Sequence, residues 1–108
     1  MKTNTLTAER LHALAELYQQ GQASDLMDRT LEKLLRHEAE QSQVQLSQLQ
    51  ADLAEFEQKY QLSSTEFYRQ FQAGHTSDDM DYVEWASLVQ MAENVKQRLR
   101  LLTGEASG

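Results

Sequence analysis

The stretch "QVQLSQLQADLAEFEQKYQLSSTEF", residues 43–67, decides the fold. Leu46, Leu49, Leu53, Phe56 and Tyr60 recur there at alternating steps of three and four, the repeat that lines one side of an α-helix. The repeat then stops. Ser63 and Glu66 form an S-x-x-E capping box, with Leu62 and Phe67 at the two positions of a hydrophobic staple. One helix therefore ends near Gln61 and another starts at Ser64.

Upstream, nothing interrupts the first of these helices as far back as Ser24, a good N-cap. The span of ~37 residues corresponds to roughly 55 Å. Written as heptads, Ala39, Leu46, Leu53 and Tyr60 occupy one seam position, and Leu35, Ser42, Leu49 and Phe56 the other. Ser42 is the polar weak point of that seam. A helix this long exceeds what a small monomer's own core covers. The pattern thus predicts a homodimer with Leu46, Leu49, Leu53 and Phe56 as the oligomer seam. An acidic-before-basic pair four apart, Glu55–Lys59, is expected to support the helix locally.

Downstream, the short helix from 64 carries Phe67 and Phe71 on one face and stops at Gly74. Ser77 or Asp78 is the expected cap of a last helix whose first turn is loaded with Asp78, Asp79 and Asp81, against the positive end of its dipole. Trp85, Leu88, Ala92, Val95, Leu99 and Leu102 repeat the three-and-four spacing, so the last helix should return antiparallel along the long one. The short helix would plug the end of that hairpin between Phe56, Tyr60, Tyr82 and Trp85. At the other terminus a helix from Thr7, as N-cap, to Gln20 is predicted, with Leu11, Leu14, Ala15, Leu17 and Tyr18 on its apolar face and Gly21 as its stop. The fold class is all-α: an elongated helical hairpin or coiled coil with a long central helix, a short capping helix and a C-terminal helix. Its expected divisions are 1–23, 24–102 and a flexible tail over 103–108.

Composition agrees. With no Pro and only 4 Gly in 108 residues, the chain lacks the punctuation of a many-stranded β fold. The absence of Cys excludes disulfide and thiolate chemistry and fits a cytoplasmic location. No run nears the ~20 apolar residues of a membrane span, and no secretory signal is expected. The net charge of −7 is uneven. Residues 1–36 balance five basic against five acidic side chains, whereas residues 37–84 set Lys59 and Arg69 against ten carboxylates. Such a surface repels phosphates and steers basic partners.

The chemistry-bearing residues point to binding and away from catalysis. "DDMDYVE" (78–84) lacks the alternate ligands and central Gly of a calcium loop, and His12, His37 and His75 have no ligand spacing. No glycine-rich phosphate loop or nucleophile elbow is present. No metal, cofactor or enzymatic activity is therefore expected. Residues 63–88 concentrate Phe67, Tyr68, Phe71, Tyr82 and Trp85. They read either as a core corner or as anchors for a partner. On the second reading the binding residues are Phe67, Phe71, Tyr82 and Trp85, with Asp78, Asp79, Asp81 and Glu84 as a negative edge. A DNA contact is the lesser reading. "KTNTLT" (2–7) before two helices has the order of a ribbon-helix-helix unit, with Lys2 and Asn4 on one face. However, Thr3 and Thr5 make a poor inner face, and one Lys is thin for phosphate contact.

"LAELYQQGQASDLMDRTLEKLLRHEAE" (14–40), with the pattern Phe56, Glu57, Tyr60, Phe67, Tyr68, Phe71, Gly74, Asp78, Asp81, Glu84 and Trp85, resembles small helical antitoxin-like proteins of prokaryotic, notably cyanobacterial, toxin–antitoxin pairs. The resemblance covers roughly residues 6–100 and defines no catalytic residue. It implies a non-enzymatic protein that binds and neutralises a toxin encoded beside it. A homo-oligomeric coiled-coil scaffold without a toxin partner is the alternative that the residues leave open.

Overall fold

The computed structural model describes residues 2–104, and the side chains of 5–104. It contains four helices, α1 (Lys2–Gln19), α2 (Asp25–Tyr60), α3 (Ser64–Gln72) and α4 (Met80–Thr103), and no strand among the described residues. The all-α reading with a long central helix, a short capping helix and a C-terminal helix holds.

Most helix ends follow from local chemistry. Ser24 Oγ accepts the Met27 N–H at 3.1 Å and caps α2. Ser63 Oγ accepts the Glu66 N–H at 3.1 Å and caps α3. Only that half of the capping box forms in the expected way, because the Glu66 carboxylate turns to Arg69 and to the Gln70 amide. At Gly74 (φ 77°) the chain enters the left-handed region, and the N–H groups of Gly74 and His75 close back onto the carbonyls of Phe71 and Gln70. The end of α2 uses the same device on a worse residue. Gln61 takes φ 52°, the Leu62 N–H reaches the Glu57 carbonyl at 3.3 Å, and the Gln61 amide donates to the Gln58 carbonyl at 2.7 Å.

Two starts differ from expectation. The cap of α4 is Asp79, whose Oδ1 accepts the Asp81 N–H at 2.8 Å, in place of Ser77 or Asp78. Of the three aspartates, only Asp81 lies in the first turn. The first helix begins at Lys2, so Thr7 lies inside it and the ribbon strand over 2–7 is not formed. A lone strand leaves its backbone groups unpaired, whereas a helix satisfies them internally. Most of the tail predicted over 103–108 lies outside the described residues. Thr103 is the last helical residue, and Gly104 (φ 81°) caps it.

The chain forms two compact units, Met1–Leu34 and Leu35–Gly108. The division falls inside α2, not at the Gly21 turn, because Met27, Leu31 and Leu34 line one groove with Leu14 and Tyr18 of α1. No described residue of the first unit is buried. The Tyr18 hydroxyl is shut off from solvent there; burial first, and the nearby Asp28 carboxylate second, raise its pKa.

The second unit holds the core. Leu46 and Leu49 of α2 are buried against Ala92 and Val95 of α4, with Leu53, Leu88 and Leu99 packed around them. Phe67, Trp85 and Ala86 form a second buried cluster, wrapped by Phe56, Tyr60, Leu62, Tyr68, Phe71 and Tyr82. Ser42 faces Arg98 at one end and Lys59 faces Asp81 at the other, the register of an antiparallel pair. Of the expected oligomer seam, Leu46 and Leu49 are buried and Leu53 and Phe56 half-buried inside one chain, because α4 carries the same repeat and returns along α2. Ser42, 3% exposed, is a polar layer in that seam. Its Oγ accepts Arg98 Nε at 3.0 Å, and Arg98 also donates to Glu38 at 2.8 Å.

Two stability measurements check these assignments by denaturant unfolding. Gln61→Gly should raise stability by about 1 kcal/mol, since only glycine enters the left-handed region without steric cost. Trp85→Ala should lower it by ~3–5 kcal/mol through the cavity it leaves.

Candidate functional site

The aromatic cluster at the closed end of the second unit builds the candidate site. Trp85 and Phe67 stack with ring centroids 3.9 Å apart and an interplanar angle of 1°. Phe56 and Tyr60 lie nearly parallel to the indole at 5.6 and 5.7 Å. The buried indole N–H donates to Ser64 Oγ at 2.9 Å. In turn the Ser64 N–H donates to the Glu57 carboxylate at 2.8 Å. The last turn of α2 thus fixes the first turn of α3, and α3 fixes the indole of α4.

A second tie crosses from α2 to α4 at the surface. Asp81 accepts the Lys59 ammonium at 2.7 Å and the Tyr60 hydroxyl at 2.5 Å. The Lys59 bond, then the Tyr60 bond, hold the Asp81 carboxyl below its ordinary pKa. Bonding to Asp81 likewise raises the pKa of Lys59 and of Tyr60. Lys59 therefore turns from its expected helical partner, Glu55, to a carboxylate that also takes up a buried-side hydroxyl.

Beside this tie runs an open groove. Phe56 and Leu88 form its apolar floor, and Asp52, Glu55, Lys59, Asp81 and Glu84 its rims. The only rim cation, Lys59, is already occupied by Asp81. Among the described residues, no group of three or more His, Asp or Glu side chains is placed to hold a metal ion. No helix there is long and apolar enough to cross a membrane.

The residues singled out in the sequence separate into three groups. Phe67 and Trp85, at 1% and 0% exposure, are core and cannot touch a partner while the fold is closed, which corrects their reading as anchors. Phe71 and Tyr82 are half-buried at the cluster edge. Asp78, Asp79 and Glu84 are exposed, and of these Asp79 is committed to the helix cap. Asp52, Glu55, Glu57 and Lys59 were missed as site residues. Glu57 could have been suspected as a carboxylate one turn before a Ser-Ser helix start, but Asp52 and Glu55 come together with Glu84 only once the hairpin register is set. No family model, curated protein or solved structure matches the chain.

The Lys59–Tyr60–Asp81 tie gives stability a definite pH dependence. A carboxyl whose pKa is lowered in the fold stabilises it above the unfolded-state value, and that contribution is lost as pH falls through the folded value. Groups whose pKa is raised, here Lys59 and Tyr60, stabilise below their unfolded-state values and lose that contribution as pH rises through the folded ones. Unfolding of Asp81→Asn against wild type should show a deficit at neutral pH. That deficit should shrink at the acid end of the carboxylate range and again in strong alkali. A deficit independent of pH would mean that Asp81 acts through packing alone.

Proposed function

We propose that the protein is a non-enzymatic protein-binding module of the antitoxin-like kind, which takes a basic, amphipathic segment of a partner into the groove between α2 and α4. The observation that carries this reading is the groove's make-up. An apolar floor of Phe56 and Leu88 lies between carboxylates of Asp52, Glu55 and Glu84, and the single cation is neutralised by Asp81. Apolar contact would hold such a segment, and the negative rims would speed its approach and select its sign. A toxin encoded beside the protein is the partner this reading names. A scaffold without a toxin partner is the second reading, favoured by the exposed Leu6, Leu11 and Leu17 on α1.

The test is co-purification with the product of the neighbouring gene, followed by association kinetics over a range of salt. Glu55→Gln combined with Glu84→Gln removes rim charge without touching the Asp79 cap or the Asp81 tie. Association should slow about ten-fold at low salt and converge on wild type at high salt. Equal rates at low salt would place the partner surface elsewhere, and no capture at all would favour the scaffold.

A further inference from the structure

The first unit is incomplete as a folded body. Its two helical segments bury none of the described residues, and Leu6, Leu11, Leu17, Leu26 and Leu34 remain 37–69% exposed. Bodies below about 40 residues generally need disulfides, a metal or oligomerisation to be stable. This one contains no Cys, and no metal-holding group occurs among the described residues.

We infer that the first unit is a homodimerisation element, in which α1 and the first turns of α2 pair with the same segments of a second copy as a four-helix bundle. The occupant is identified by charge as well as by apolar area. Residues 1–36 carry five basic and five acidic side chains, so two copies meet without net repulsion. Glu9, Arg10, Glu16, Asp25, Arg29 and Lys33 place both signs along the helices, which a two-fold contact can set against one another. Pairing through residues 37–84 would instead bring together two segments each holding two basic against ten acidic residues. A foreign partner drawn by charge would be basic, and would go to that acidic segment rather than to this neutral one. Four helices give the apolar stripe of Leu14, Tyr18, Met27, Leu31 and Leu34 the enclosure that two cannot. Self-association thus uses residues other than those that line the groove between α2 and α4.

Light scattering and sedimentation of the full chain, from about 1 mM down to about 1 μM, read the result directly. The wild type should run at twice the chain mass and dissociate on dilution. Leu11→Gln with Leu34→Gln, which changes no charge, should weaken association at least ten-fold while helical circular dichroism is retained. Val44→Gln, at an exposed apolar position of the second unit, should leave it unchanged. If the double variant loses helix content, Leu11→Gln alone carries the same expectation. A wild type that stays monomeric throughout, a variant that associates as tightly as wild type, or a loss caused equally by Val44→Gln would overturn the inference.

Discussion

Trp85 lying flat on Phe67, with its N–H held by Ser64, is the contact on which the second unit depends. A buried indole adds a large apolar area but also a donor that must be satisfied. Ser64 can satisfy it only because α3 starts where it does, and that start is fixed by the Ser63 cap and by Glu57 reaching the Ser64 N–H. Three helices therefore converge on one side chain. Without Trp85 the ends of α2 and α4 would keep their leucine contacts, but α3 would be held only by the Ser64–Glu57 bond and the packing of Phe67 on Tyr82.

The opposite end of the same unit is set by a polar contact. Ser42 occupies a seam position where leucine would pack against any apolar neighbour at several registers. Its small size and hydroxyl instead admit Arg98, which also reaches Glu38. A single polar layer costs some apolar burial and selects one alignment in return. Together with the Lys59–Asp81 tie, it fixes α2 against α4 at both ends of the leucine core, and so brings Glu55 and Glu84 to the rims of one groove.

The helices were legible in residues 43–67 because capping and periodicity are local. Ser24, Ser63 and Gly74 act through neighbours within a few residues, and each does what its position in the sequence implied. Three things were not legible, for physical reasons. The heptads of α2 specify which face is covered but not whether a second copy or α4 covers it, since both would present the same repeat. Ser77 and Asp78 were the expected caps, but adjacent short polar side chains differ little as caps until the backbone picks one, and Asp79 takes the position through its reach to the Asp81 N–H. Lys59 has a local partner in Glu55, but Asp81 offers it a carboxylate shared with the Tyr60 hydroxyl. Of the candidate site, the exposed carboxylates were readable as a negative edge. The groove itself was not, because its floor and rims come from two helices that only the tertiary fold brings together.

The central claim is that the aromatic end and the leucine core close within one chain. The fluorescence of the single tryptophan tests it most directly, because Trp85 is wholly buried between elements of the same unit. The account requires a blue-shifted emission, protected from acrylamide, that stays unchanged as the protein is diluted from about 1 mM to about 1 μM. An emission that shifts to the red and opens to quencher on dilution would show that another copy covers Trp85, and would contradict the account.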